Sequence, residues 1–184
     1  NRAAAHAAPA ASSPIARPMP LTPIFVGGVI VLGSLIAGVG VLLDRSASDV
    51  PAILVVTALA VVAELLQVSV YGLNTVSVSV TMNFAAALVA GMPGVAITSA
   101  AIAIAHYVLI RPSLYQTAFN WATHVLAGAL AVFLIHYNVD PLNTANLLIV
   151  GGLTLISALG YYLIETGLVA TAIALESTDK IRTT

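Results

Sequence analysis

The sequence lacks cysteine altogether and carries few charged residues. With no cysteine among 184 residues, disulfides, thiolate metal ligands and cysteine nucleophiles are all excluded, and the redox compartment stays open. Only 7% of the residues are charged, against about 25% in an ordinary soluble domain. The formal net charge of −1 provides no overall attraction for nucleic acid. Together these absences argue against a soluble domain and against a nucleic-acid partner.

Recognisable catalytic motifs are also missing. The sequence contains no glycine-rich phosphate loop followed by lysine, no histidine and carboxylate pair at metal-ligand spacing, and no serine elbow. We therefore expect a protein that is not an enzyme and that has no metal site.

What the sequence does contain is apolar residues, at 60% of the chain, with a mean hydropathy of +1.05. We expect an all-α integral membrane protein that contacts the lipid bilayer, because the length allows five or six spans of about 20 residues. Residues 1–20, rich in alanine, proline and serine, predict a flexible tail, and 176–184 predict a cytoplasmic C-terminal tail. Between them, residues 21–175 predict a bundle of about six transmembrane helices, near 21–43, 51–66, 81–92, 94–110, 114–135 and 147–175.

The most unusual segment is a break between the second and third predicted helices. The apolar helix stops near Glu64, and residues 67–80 then alternate valine with serine, threonine or glutamine. The sequence Gly72-Leu73-Asn74 is typical of a hairpin turn. Because lone strands leave backbone groups unsatisfied in lipid, we expect this hairpin at the membrane interface or buried against protein.

The basic residues predict an orientation. Six crossings place five of the six on one side and leave only Arg45 on the other, which is the distribution of the positive-inside rule. The N- and C-termini are then cytoplasmic, together with Arg2, Arg17, Arg111, Lys180 and Arg182.

Polar residues within the predicted spans are the candidate functional residues, because ionisable groups are costly in a membrane. His106 and Asn120 lie at depths that differ by only about 6 Å, counted from Arg111 at 1.5 Å per residue. A shared polar or ligand-binding layer is therefore expected. Tyr161 and Tyr162 come shortly before Glu165 in the sequence, near enough for their hydroxyls to hydrogen-bond its carboxyl group. The candidate residues of this layer are Glu64, Asn83, His106, Asn120, Trp121 and Glu165. Two interpretations of the layer stay open, an interhelical hydrogen-bond clamp and a site that senses a ligand or protons.

Two histidines are candidate cofactor-binding residues, although the sequence identifies no cofactor. A haem held between His106 and His124 is disfavoured, because their depths differ by about 12 Å at 1.5 Å per residue. A tetrapyrrole such as a chlorophyll needs only one imidazole and an apolar pocket, so each histidine is a candidate ligand by itself.

Small residues in the first predicted helix indicate close helix packing. The pairs Gly33/Ala37 and Ser34/Gly38 are spaced four apart, which lets another helix approach. We expect protein partners to use such faces.

A series of short elements follows in a set order and spacing along residues 63–135, namely Ala63-Glu64, Val76 to Val80, Phe84-Ala85-Ala86, Gly91-Met92-Pro93, the helix at 95–110, Arg111-Pro112 and Phe119-Asn120. In this order and spacing the segment resembles the N-terminal membrane-sensor modules of bacterial cyclic-di-GMP signalling proteins, those ahead of HD-GYP and GGDEF domains. The resemblance implies a sensory module of the bacterial inner membrane, without the effector domain that follows in that family.

Three functions are therefore expected in competition. The first is a non-catalytic sensor that passes a change near residues 64–80 through its last helix to a cytoplasmic effector or partner. The second is an accessory subunit of a large respiratory or photosynthetic membrane complex. The third is the substrate-binding component of a vitamin transporter, which predicts a cavity lined by Asn83, Asn120 and Trp121.

Overall fold

A computed structural model shows five helices and one short hairpin. The structure describes residues 21–44, 50–66, 68–70, 74–76, 78–136, 138 and 147–183. The predicted tail at 1–20, the turn at Gly72-Leu73 and most residues between the predicted helices 114–135 and 147–175 lie outside these residues. The elements in chain order are α1 Leu21–Leu43, α2 Val50–Leu65, β1 Val68–Val70, β2 Asn74–Val76, α3 Ser79–Ile110, α4 Leu114–His136 and α5 Leu147–Thr183.

Four of the helices are long and apolar enough to cross a membrane, namely α1, α3, α4 and α5, which confirms the prediction of a membrane protein. The helices differ in how far the protein itself covers them. In their most apolar 18-residue windows, α3 and α4 are each 56% buried, whereas α1 is 22% and α5 11% buried. The centre of the bundle is therefore made by α3 and α4, and α5 leaves most of its apolar surface for lipid or a partner.

The structure has five helices where six were expected, because predicted helices 81–92 and 94–110 are two arms of α3. Gly91 has φ 57° and ψ −149° inside this helix, and the chain reverses there. Ser99 Oγ donates to Asn83 Oδ1 at 3.1 Å across 16 residues, which would span about 24 Å in a straight helix. The arms 79–90 and 92–110 therefore pack side by side, and the first, about 18 Å long, is too short to cross a bilayer alone.

Two residues next to Gly91 stabilise the second arm. Pro93 is tolerated there because N–H groups in the first turn of a helix have no carbonyl partner within the helix, so the N–H that proline lacks would form no such bond. Asp44, just after α1, accepts a hydrogen bond from the Met92 backbone N–H at 2.8 Å, so a carboxylate caps the positive end of the arm.

The chain between α2 and α3 forms a two-stranded antiparallel hairpin. Val68 pairs with Val76, and Val70 pairs with Asn74. This hairpin lies within residues 67–80, where an extended hairpin was predicted, and its location at the interface or against protein stays a prediction.

The beginnings of α1 and α4 and the end of α5 lie at the same end of the bundle. The Tyr115 hydroxyl donates to the Pro23 carbonyl at 2.8 Å. Asp179 accepts from the Thr22 backbone N–H at 2.9 Å and from the Thr22 hydroxyl at 2.6 Å. We refer to this as the Asp179 end.

The last helix continues to Thr183, through residues 176–183 that were predicted to form a tail. Ser177 and Thr178 donate to carbonyls one turn earlier, and Asp179 caps the start of α1. These contacts satisfy polar side chains that would otherwise favour a helix end.

The predicted close approach of small residues occurs within the chain. Gly33 and Ala37 are buried on α1, and a Cβ atom on Gly33 would lie 2.7 Å from the Ala122 Cβ and 2.9 Å from the Ala122 Cα. Gly38 on the neighbouring face is exposed and has no atom within 4 Å of such a position. Of the two predicted pairs, only Gly33/Ala37 is therefore buried, and Gly33 makes the close contact between α1 and α4.

Replacing Gly33 by alanine should destabilise the bundle, because α1 would have to move away from the α4 backbone. We expect Gly33→Ala to lower the free energy of unfolding by about 1–3 kcal/mol in denaturant titrations in micelles. Gly38→Ala is the matched control and should be neutral or slightly stabilising, since alanine is the better helix former. Equal effects of the two changes would contradict the packing described for α1.

Replacing Gly91 by alanine should disturb the reversal of α3, because residues with a Cβ atom rarely adopt its backbone angles. The expected loss is about 1–3 kcal/mol of unfolding free energy. Gly167→Ala is the control, since nothing lies within 4 Å of its Cβ position. A Gly91→Ala protein as stable as Gly167→Ala would show that α3 does not reverse at this residue.

Candidate functional site

Glu64, near the end of α2, is a carboxylate buried in the bundle. Its side chain is 3% exposed. Oε2 accepts from the Ser79 hydroxyl at 2.6 Å, and Oε1 lies 2.9 Å from His106 Nδ1. Ser79 begins the first arm of α3 and His106 lies near the end of the second, so one carboxylate joins both arms to α2. A buried charge needs such partners to be tolerated.

Asn83, one turn after Ser79, is the second centre of hydrogen bonding and is fully buried. Its Nδ2 donates to the Tyr161 hydroxyl at 2.8 Å and to the His124 carbonyl at 3.1 Å. Its Oδ1 accepts from Ser99. A single amide thus joins both arms of α3 to α4 and α5.

His124 on α4 faces two polar groups of α5. Its Nδ1 lies 3.3 Å from Glu165 Oε1 and 3.5 Å from the Tyr161 hydroxyl. Tyr161 and Glu165 are four residues apart and therefore share a helix face. The Phe84 ring packs edge-on against Tyr161, with centroids 5.9 Å apart, which holds the phenol ring in place.

These groups form one continuous site because their helices place them in register. Ser79 and Asn83 are one turn apart, and Ser99 and His106 are two turns apart on the other arm. We call this site the polar core, made of Glu64, Ser79, Asn83, Ser99, His106, His124, Tyr161 and Glu165.

The chemistry of the polar core is that of sharing protons and hydrogen bonds. Ser79 donates to Oε2 of Glu64 and His106 Nδ1 lies beside its Oε1, so a hydroxyl and an imidazole share one carboxylate. Carboxyls, imidazoles and a phenol within a membrane bundle are groups that bind and pass on protons.

The structure separates the predicted polar layer into two parts. Glu64, Asn83, His106 and Glu165 belong to the polar core, whereas Asn120 and Trp121 do not. Asn120 is one turn nearer the Asp179 end than His124, and it lines a cavity between α1, α4 and α5. Trp121 is turned further round α4, against a groove with Ile104 and Leu114.

Ser79 and Ser99 were not among the predicted site residues, and Tyr161 has a different partner from the one predicted. Tyr161 bonds Asn83, although a bond to Glu165 was expected. Ser79 lies four residues before Asn83, and Ser99 seven before His106, so the spacing of small polar residues along a buried helix face is the signal that identifies them.

The two candidate cofactor histidines both direct Nδ1 at a carboxyl group, His106 at Glu64 and His124 at Glu165. Among the described residues there is no cluster of three or more histidine, aspartate or glutamate side chains that could hold a metal ion. Binding of a tetrapyrrole by one of the histidines stays a prediction.

The cavity expected of a vitamin-binding component is not assembled from its predicted residues. Asn83 is fully buried and engaged by Tyr161, Ser99 and the His124 carbonyl. Asn120 and Trp121 line different depressions on neighbouring faces of α4.

Comparison with known proteins yields no match to a family model, to a curated protein or to a solved structure. The resemblance to cyclic-di-GMP sensor modules accordingly stays a prediction. The polar core is the structural feature from which a function can be inferred.

Removing the Asn83 amide should destabilise the bundle strongly, because it leaves buried polar groups on three helices unpaired. We expect Asn83→Ala to lower the unfolding free energy by about 3 kcal/mol, measured by denaturant titration in micelles. Asn138→Ala is the matched control, since Asn138 is exposed and its side chain donates to the Leu134 carbonyl one turn earlier, and it should cost less than about 0.5 kcal/mol. Similar small losses for both would mean that Asn83 does not organise the core.

Proposed function

We propose that this chain is a non-catalytic signal-input module of a membrane, in which a change in the polar core is passed along α5 to an effector or partner. The observation that carries the proposal is the contribution of α5 to the core. Tyr161 and Glu165 face Asn83 and His124, and the same helix continues to Asp179, where it is bonded to the start of α1.

The dimensions of α5 suit it to carry a signal. With 37 residues it is about 55 Å long, which exceeds the ~30 Å hydrocarbon core. In the most apolar part of α5 only 11% is buried, and its packing outside the polar core includes Leu168 and Ala172 against the cluster of Val26 and Phe119. In this proposal, a change of protonation or hydrogen bonding in the core moves α5 against that packing.

We place the module in the bacterial cytoplasmic membrane with both termini in the cytoplasm. Counting the two arms of α3 separately gives six helical passages, an even number, in keeping with α1 starting and α5 ending at one end of the bundle. Arg111 precedes α4 at that same end, and the neighbouring sequence adds Arg17, Lys180 and Arg182. This concentration of basic residues supports the orientation.

The resemblance to HD-GYP- and GGDEF-associated sensor modules fits the same proposal. Two of its elements, Ala63-Glu64 and Val76 to Val80, contain Glu64 and Ser79 of the polar core. A third, Phe84-Ala85-Ala86, contains the ring that packs on Tyr161. In this proposal those elements bring the two arms of α3 together around Glu64, and the stimulus acts on that cluster.

An accessory subunit of a larger membrane complex is the second candidate, favoured by the exposed apolar faces of α1 and α5. Purification in mild detergent separates the two. A large protein recovered in stoichiometric amount favours the subunit, a firmly bound small molecule favours the transporter component, and recovery of the chain without either favours the input module.

A change in the polar core should alter the position of the end of α5. Spin labels on cysteines at Ile24 and Ser177, both exposed, report the distance between α1 and α5 in nanodiscs, and the chain has no native cysteine to interfere. We expect His124→Asn to shift this distance by several ångströms, because it removes the imidazole that faces Glu165 and Tyr161.

His136→Asn is the matched control for this experiment. His136 bonds the Ala87 carbonyl outside the polar core, so its replacement should leave the distance between the labels unchanged. Superimposable distance distributions for the unmodified protein, His124→Asn and His136→Asn would reject signal transfer through α5.

A further inference from the structure

A cavity of about 360 Å³ lies between α1, α4 and α5 near the Asp179 end. Its floor is apolar, with buried Val26 and Phe119, and its rim carries the exposed residues Gln116 and Glu176. The volume equals that of about twelve water molecules at ~30 Å³ each and falls within the range of about 300–1,000 Å³ typical of small-molecule sites.

Most of the polar groups around this cavity already have partners. The Thr22 hydroxyl donates to Asp179, the Tyr115 hydroxyl donates to the Pro23 carbonyl, and Ser113 donates to the Gln116 side chain. The side-chain amide of Asn120 differs, because no hydrogen bond to it occurs within the described part of the chain. Asn120 is half-buried in the wall of the cavity, one turn inward from Gln116.

The charge of the lining restricts the chemistry of an occupant. Of the described residues that line the cavity, none is basic, and Glu176 contributes a carboxyl at the rim. None of these lining residues therefore offers a basic partner to a phosphate or a carboxylate. The floor offers contacts to a ring or a short chain, and the volume is too small for a whole two-chain phospholipid.

We propose that this cavity is a binding site for a small uncharged amphipathic molecule whose carbonyl or hydroxyl group bonds the Asn120 amide. Its apolar part packs against Val26, Phe119 and Ile173. The site is separate from the polar core, and the proposal does not rest on the signal-input function.

Binding of the quinone menadione is the test, with the full chain in nanodiscs. Menadione is uncharged, carries two carbonyl acceptors and quenches tryptophan fluorescence. Trp121 is the only tryptophan and packs on the cluster that contains Val26 and Phe119. The absence of cysteine prevents covalent addition to the quinone. We expect saturable quenching.

Three variants assign this quenching to the cavity. Asn120→Leu keeps the number and branching of the side-chain heavy atoms but removes the amide, and should weaken binding about fivefold to tenfold. Ala172→Phe fills the cavity and should abolish saturable quenching. Ala100→Phe fills the groove on the other side of Trp121 and should leave the affinity unchanged. Circular dichroism checks that each variant is folded.

Several results would overturn the proposal. Quenching that rises linearly without saturation in the unmodified protein would mean that menadione only partitions into the lipid. An affinity unaffected by Asn120→Leu, or abolished by Ala100→Phe, would assign the quenching to another place. Saturable quenching that appears only after deletion of residues 1–20 would identify the chain's own N-terminal segment as the occupant.

Discussion

The structure depends on the placement of one carboxylate, that of Glu64, inside a membrane bundle. A buried carboxylate needs hydrogen-bond donors, and the apolar sequence of α2 supplies none nearby. The donors come from Ser79 and His106, which lie at the two ends of α3. Both reach Glu64 only because α3 reverses at Gly91, where glycine permits a backbone conformation that other residues rarely adopt.

The reversal at Gly91 has a second consequence, since it brings Asn83 opposite Ser99 and leaves the Asn83 amide free to reach Tyr161. The polar core therefore extends from α2 through both arms of α3 to α4 and α5. Outside the core, the helices meet through small residues, as Gly33 meets Ala122. The core thus specifies which helices meet and at what level, while α5 remains largely exposed along its apolar length. In the proposed function, α5 is therefore the element that responds to the core.

Much of the fold was readable from the sequence, because hydropathy and residue type determine it locally. The apolar segments, the polar break after Glu64 and the similar depth of Glu64 and His106 all follow from spacing along single helices. The rotation of each helix about its own axis does not follow from this spacing. For that reason Asn120 and Trp121 were predicted to lie in the same layer as the residues of the core. Two further features depend on tertiary contacts that no local pattern reveals, the pairing of Tyr161 with Asn83 and the extension of α5 to Thr183 beside Asp179.

The central claim is that α3 doubles back so that its polar residues meet around Glu64, and a distance across α3 tests it most directly. Spin labels at Thr81 and Ile104, both on exposed positions of the two arms, can be measured by pulsed electron resonance in nanodiscs. Arms packed side by side predict a distance below about 20 Å, given interhelical spacings of 8–10 Å. A distance near 35 Å, the length of a straight helix between these residues, would contradict the account.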